Sequence, residues 1–416
     1  MKQLLISFII YSVVVLAVAK DYNGYKVYDL SPTKEQIPFV MEWEFQTGID
    51  FWSYGRANKA FRIMVSPEIE SNFVNFLDKN EINYSIGIEN VETTLKSDKI
   101  TKRSLRLVNG IPNFNYYWSY PEMEEIFNRL ATDYPNLVKL EVIGKSYLNQ
   151  SIYGVRVSKN QEFGLNPIIF IDAGTHAREW AGIQSAFYFL HQLVENSTIH
   201  NDLLDNVDYV FVPVVNPDGF QYSFTEDRLW RKNRHYVNYT CTGIDLNRNY
   251  RYMWRYVANS CSGNGYPGVS ALSEPETAAV AKYMESFKNN LRLYLSTHTY
   301  GGLVLWPFGF AMDIYIKNHK EHQKLGEKFA NAISVATGTE YEVGNSADIL
   351  YTAYGASDDF AIAYGGADFA YTLELPGGGP NGFDYPQDMI HDLVKETFIG
   401  YREFSLFIKE RFKTVQ

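Results

Sequence analysis

The 416-residue chain is poor in cysteine, in histidine and in net positive charge, and it has no long apolar run after Val18. Its two cysteines, Cys241 and Cys261, lie in surroundings that resemble no activated thiol, which sets aside a cysteine nucleophile. In an oxidising compartment such an isolated pair is most simply one disulfide. The net charge of −10 sets aside nucleic-acid binding, whose footprint is a basic patch. No segment after Val18 is apolar enough to span a bilayer. Internal repeats and low-complexity tracts are absent too. What remains is ordinary for a globular protein, with 46% hydrophobic and 21% charged residues. The length allows one large core and a smaller one, and a monomer is the default state.

The apolar run itself, "MKQLLISFIIYSVVVLAVA", has a basic n-region, a short h-region and a small-x-small end, so residues 1–19 are expected to be a signal peptide. A membrane anchor is the alternative, but the run is short for a bilayer. The mature protein is then expected to be secreted and extracellular. Sequons at Asn83, Asn149, Asn196 and Asn238 suit such a surface.

Residues 26–91 alternate as strand, helix, strand, strand, helix, strand, the split βαβ, ferredoxin-like order. The first helix is expected over "SPTKEQIPFVMEWEF", with Ser31 as N-cap and Pro32 at its first position. A small α+β domain over 20–95 follows from this. Residues 96–112 are polar and basic, and Lys102, Arg103 and Arg106 sit where a trypsin-like protease would nick an exposed linker. The plain alternative is a solvated linker. From 113 to 416 helical patterns alternate with near-continuous apolar strands. That predicts an α/β domain with a mixed, largely parallel twisted sheet covered by helices on both faces.

In that frame "GTHAREW" is conspicuous. His176 and Glu179 fall past the end of the strand "PIIFIDA", at the start of a helix, where α/β sheets gather ligands. An imidazole nitrogen and a carboxylate oxygen suit zinc, which needs further ligands. Of eight histidines, only His298, at the end of "LRLYLSTH", holds the same topological place. His319 and His322 lie in the charged stretch "IKNHKEHQKLGEK" and are expected on a solvated face. Three ligands leave one position open, which marks catalytic zinc. By itself the His-x-x-Glu spacing is equally that of a core histidine with a surface glutamate. Glu374 ends another strand, where it suits a general base acting on water. Arg231, Arg234, Asn247 and Arg248, in "RLWRKNRH" and "GIDLNRNY", suit carboxylate recognition or, more plainly, a basic surface cluster.

Taken together, "HAREW", "VVNPDG", "WRKNR", "GIDLNRN", "STHTYG" and "YTLEL", in this order, resemble the zinc metallocarboxypeptidases of the digestive type over essentially the whole chain. The resemblance implies a zymogen with a pro-domain, released by a trypsin-like protease, that hydrolyses the last bond of peptide C-termini. It implies one Zn2+ on His176, Glu179 and His298, with Glu374 as base and Arg231 as oxyanion partner. Asn247, Arg248 and Tyr351 would clamp the terminal carboxylate. Asp245 would hydrogen-bond His176. Arg178, Tyr300 and Phe383 would line subsites further along the peptide, and Cys241–Cys261 would be the family's disulfide. Two departures touch the loop after the base: Pro376 replaces an arginine of vertebrate relatives, and one residue is inserted between Phe360 and Glu374.

Specificity turns on "YTAYGASDDF". By the same resemblance Asp358 lies at the bottom of the pocket for the last side chain, with small Ser346 on its wall. An acid there looks like the B-type enzymes, which remove Lys and Arg. The alternatives are that Asp358 only favours a helix N-terminus, leaving an A-type preference for apolar ends, or that the protein is a non-catalytic secreted binding homologue.

Overall fold

A computed structural model describes residues 19–55, 60–95, 107–108, 111–160, 162–258, 261–378 and 382–413. All but the last residue of the expected signal peptide, and the cleavage candidates Lys102, Arg103 and Arg106, lie outside the described residues.

The leading unit is a four-stranded antiparallel sheet. Its elements are β1 (Lys26–Ser31), α1 (Ile37–Met41), β2 (Ile49–Ser53), β3 (Phe61–Val65), α2 (Glu70–Lys79) and β4 (Asn83–Ile88). The strand order β2-β3-β1-β4 is the ferredoxin-like one. Its core joins Tyr28, Leu30 and Ile63 of the sheet to Phe73 and Leu77 of α2. The first helix is shorter than its pattern predicts. Ser31 ends β1 instead of capping a helix, Gln36 takes the N-cap position, and the helix carries Pro38 in its first turn. A proline has no N–H to give and is tolerated only there, so Pro38, not Pro32, sets the start.

The larger unit opens with α3 (Tyr120–Asp133), whose N-terminus is closed by a capping box between Ser119 and Glu122. Its strands are β5 (Val138–Lys145), β6 (Ser151–Val157), β7 (Ile168–Ala173), β8 (Asp208–Val212), β9 and β10 (a small hairpin, Tyr236–Asn238 and Cys241–Thr242), β11 (Leu291–Thr299), β12 (Leu303–Trp306), β13 (Glu342–Asn345) and β14 (Phe369–Leu375). All but the hairpin form one eight-stranded sheet in the order β13-β12-β14-β11-β7-β8-β6-β5. The central pairs β14-β11-β7-β8 are parallel.

Period-two alternation buries both faces, as the apolar strands predict. Ile169, Ile171, Leu293 and Leu295 point towards α3, α4 (Trp180–Glu195) and the C-terminal helix (Ile390–Arg411). Ile168, Phe170 and Tyr294 point the other way, towards the helix Pro275–Glu285. Each such side chain contributes ~1.5–3 kcal/mol on burial, which fixes where the strands end. Helix α4 is buried on all sides, from Trp180 to Val194, so it is a core helix packed along the sheet. A π-helical turn, Ala361–Gly365, lies in the stretch expected to carry an inserted residue. A π turn is how a helix takes in one extra residue without losing its flanks.

His322 departs from expectation. It is fully buried, and its Nε2 accepts the Ala370 N–H at 3.2 Å. The charged stretch is the outer face of a helix, His319–Thr337, whose inner face carries His322.

Candidate active site

Strand register gathers the key residues. Thr297 of β11 pairs with Ala173 at the end of β7, and His298 pairs with Glu374 of β14. The turn after β7, which holds His176 and Glu179, therefore shares one sheet edge with His298 and Glu374. His176 Nδ1 lies 2.8 Å from Glu179 Oε1, and His298 Nδ1 lies 2.9 Å from Glu179 Oε2. The two nitrogens are 3.1 Å apart. Donor atoms bonded to one zinc at ~2.0–2.1 Å would stand about 3.3 Å from each other, so this trio fits the ion. All three groups are buried, and among the described residues no other set of three such side chains converges. Burial and the nearby Arg231 charge hold the His176 imidazole below its ordinary value, whereas at His298 burial is outweighed by the Glu179 carboxylate, which pushes the imidazole up to about 9; a metal ion would take both rings in the neutral form.

Asp245 stands behind His176 and accepts from its Nε2 at 3.1 Å. Its other oxygen takes Arg231 Nε and Nη2 at 3.2 and 2.9 Å. Burial opposes charge on Asp245, but Arg231 and His176 outweigh it and keep the carboxyl well below its usual range. Asp245 also accepts the Asn247 N–H at 2.9 Å, capping the short turn Leu246–Arg248. That turn aims Asn247 and Arg248 into the cleft. Arg248 Nη2 donates to the Tyr351 hydroxyl at 2.6 Å. Glu374 faces the same cleft, and burial pushes its carboxyl up to about 8.

Deeper in the pocket, Asp358 is buried beside Ser346, whose hydroxyl is 3.4 Å from Oδ2. Asp358 Oδ1 accepts the Asp359 N–H at 3.0 Å. Asp359 instead accepts the Gly309 N–H at 2.8 Å, and no side chain caps the short helix Ser357–Phe360. Burial pushes the Asp358 carboxyl up, with no lysine or arginine among the described residues paired to it.

On the opposite side Arg178 lies 3.9 Å over the Phe383 ring, and Tyr300 meets that ring edge-on at 4.8 Å. The loop after Glu374 packs on Tyr300. At Gly382, whose φ is +66°, a Cβ would come 2.2 Å from the Tyr300 ring. Pro376 and Gly377 line the same edge.

Nearly every residue singled out in the sequence meets here. Arg234 does not: its guanidinium stacks on Tyr222 and Trp230, away from the cleft. Cys241 and Cys261 form a disulfide outside it, with a Cα–Cα distance of 5.6 Å. The leading unit covers this cleft as a lid, through contacts that carry no signal in the sequence. Asp50 of β2 pairs with Arg178 at 2.5 Å and accepts from Asn264. Trp52 packs edge-on against Phe383 at 5.8 Å. Tyr54 lies over Tyr351 at 3.8 Å and donates to Glu44 at 2.6 Å. The leading unit thus walls the cleft with its own side chains.

Comparison with known proteins agrees with this site. The family profile described as zinc carboxypeptidase matches residues 123–400, and that of the carboxypeptidase activation peptide matches residues 28–98. A carboxypeptidase B of Astacus astacus is 36% identical over 300 residues, covering 71% of this chain and 98% of its own length. A carboxypeptidase B of Rattus norvegicus is 31% identical over 405 residues, covering 94% of this chain and 95% of its own. The crystal structure of a carboxypeptidase A from Helicoverpa armigera superposes with a TM-score of 0.88 at 30% identity, covering 94% of this chain and 99% of that one.

Proposed function

The chain belongs to the zinc carboxypeptidase family, as a zymogen with an activation peptide, and from that premise we propose that it is a secreted pro-enzyme whose mature form removes C-terminal Lys and Arg. The observation that carries the specificity is Asp358: a buried carboxylate that lines the pocket, flanked by a small Ser346 and paired to no cation among the described residues. A charge left so is costly. A substrate ammonium or guanidinium supplies the partner, and an apolar side chain does not.

The remaining roles follow from position. Arg248, Asn247 and Tyr351 bind the terminal carboxylate, which only a chain end offers next to its last peptide bond, so the enzyme cuts from the end. His176, Glu179 and His298 would hold zinc, which would supply Lewis acidity to water and to the scissile carbonyl. Glu374 takes the proton of the attacking water and delivers it to the leaving amine. Arg231 stabilises the developing oxyanion, held in place by Asp245. Arg178, Tyr300 and Phe383 receive residues upstream of the cut. Residues 20–95 form the pro-domain. A trypsin-like protease frees the catalytic domain, 113–416, by cutting the 96–112 linker at Lys102, Arg103 or Arg106.

The test compares kcat/KM of the trypsin-activated enzyme on matched peptides ending in Arg, Lys and Phe. A preference for Arg and Lys by about a hundredfold, lost in Asp358→Ala, is the expected result. A preference for Phe would favour the A-type reading and leave Asp358 a structural role.

A further inference from the structure

Each zinc histidine has a second ring nitrogen, and the two are held in different ways. His176 Nε2 meets Asp245 directly. His298 Nε2 lies 3.0 Å from Ser296 Oγ, and Ser296 Oγ lies 2.7 Å from Asp172 Oδ1. The second oxygen of Asp172 accepts the Tyr294 hydroxyl at 2.6 Å. All four side chains are buried, with at most 1% exposure. The arrangement is built by the sheet. Ser296 and His298 are two apart on β11 and share a face, while Asp172 of β7 pairs in register with Ser296.

Proton counting gives this chain a direction. A carboxylate accepts only, and a hydroxyl has one proton to give. Ser296 gives its proton to Asp172, so towards His298 it can only accept. The imidazole must then carry its proton on Nε2 and keep a lone pair on Nδ1, the nitrogen that faces Glu179 Oε2 and His176 Nδ1. Were the Ser296 proton free to turn, it could donate to Nε2 and leave the proton on the metal-facing nitrogen.

We propose that Asp172, acting through Ser296, is a positioning pair that fixes the tautomer and ring orientation of His298 for zinc. The sheet does for His298 in two steps what Asp245 does for His176 in one. Tyr294 shares the carboxylate but stands off the chain, which makes it the internal control.

The experiment uses the full-length zymogen and measures zinc affinity by competition with a chromophoric chelator. It adds 15N-histidine spectra of the zinc-loaded protein at mildly alkaline pH. Ser296→Ala and Asp172→Asn are expected to weaken zinc binding about 10- to 100-fold. They should also move the downfield, exchange-protected Nε2–H resonance of His298. Ser296→Thr, which keeps the hydroxyl, should restore both, and Tyr294→Phe should leave zinc affinity within about threefold. The proposal is overturned if folded Ser296→Ala binds zinc as the wild type does. Equal weakening in Tyr294→Phe also overturns it, because the effect would then be general loss of packing. Should Ser296→Ala not fold, the wild-type spectrum decides: a His298 Nε2–H absent or exchanging freely refutes the hydrogen bond on which the chain depends.

Discussion

Replacing Asp50 with alanine should wake the uncut zymogen. Asp50 is the residue through which the leading unit grips Arg178, and both side chains are buried. Asp50 also accepts from Asn264 and from Trp52 Nε1. Removing one partner of a buried pair costs ~3–5 kcal/mol, chiefly because the other charge stays behind unpaired. Opening of the lid lets water reach Arg178, so the cost falls on the closed state alone. Even the lower figure raises the open fraction by roughly a hundredfold. The assay is hydrolysis of a short peptide ending in Arg by zymogen whose linker is intact on a gel. Lys26→Ala serves as the control, since its half-buried pair with Glu70 lies within the leading unit and touches none of the cleft residues named above; such a pair contributes about 0–1 kcal/mol. Folded Asp50→Ala zymogen with only wild-type activity would refute the reasoning and leave closure to shape alone.

The same pair sets a pH dependence. Burial pushes the Asp50 carboxyl up, but Arg178 and its hydrogen bonds pull harder and hold it below its ordinary value. A lowered carboxyl contributes to closure fully above the free value of about 3.9 and loses that contribution as pH falls through the docked value. Latency should therefore be flat through the neutral range and begin to fail only in strong acid. That acid step should be missing from Asp50→Ala.

Other outcomes follow from the same geometry. Glu374→Gln should keep its zinc and its affinity for C-terminal Arg yet lose about 10²- to 10⁴-fold in kcat; calorimetry with a non-cleaved peptide and turnover of a cleaved one separate the two. Expressed through a eukaryotic secretory pathway, the chain should carry an N-glycan at Asn238, which is exposed on the β9–β10 hairpin. It should carry none at Asn196, whose amide donates to Gln192 at 2.7 Å. Mass shifts on deglycosylation of the single Asn→Gln variants check this.

The metal trio could be read from sequence because each member stands at a break in a strong local pattern. The apolar strands "PIIFIDA" and "LRLYLST" are unambiguous, and a polar group just past such a strand falls at the sheet edge by period alone. Asp172 and Ser296 were open to the same logic. An aspartate inside an apolar strand, and a serine two before a histidine on one strand face, are both costly unless paired. Arg234 and His322 misled for the opposite reason. Their neighbours are charged, but a single side chain on a helix or loop chooses its face by packing that no local pattern records. Pro38 shows the same limit for a boundary: the helix was expected to start at Pro32, and the longer reach of β1, through Ser31, moved its start to the turn that carries Pro38.

The contacts of the lid were illegible because they join residues far apart in sequence through shape. Nothing around Asp50 or Tyr54 indicates that they face Arg178 and Tyr351. Yet the choice of contacts has a logic. The leading unit holds Arg178 by charge, Phe383 by an edge-on ring and Tyr351 by a tilted ring laid against it, and these are among the groups proposed to hold a peptide. Substitution on the catalytic side therefore changes latency and substrate binding together. Arg178→Ala would loosen the lid and also raise KM for longer peptides, so its net effect on a zymogen assay has no fixed sign. Asp50 leaves with the pro-domain, which makes it the position at which latency can be changed without touching the mature enzyme. Asp50→Ala enzyme, once cut by trypsin, should match wild type in both kcat and KM.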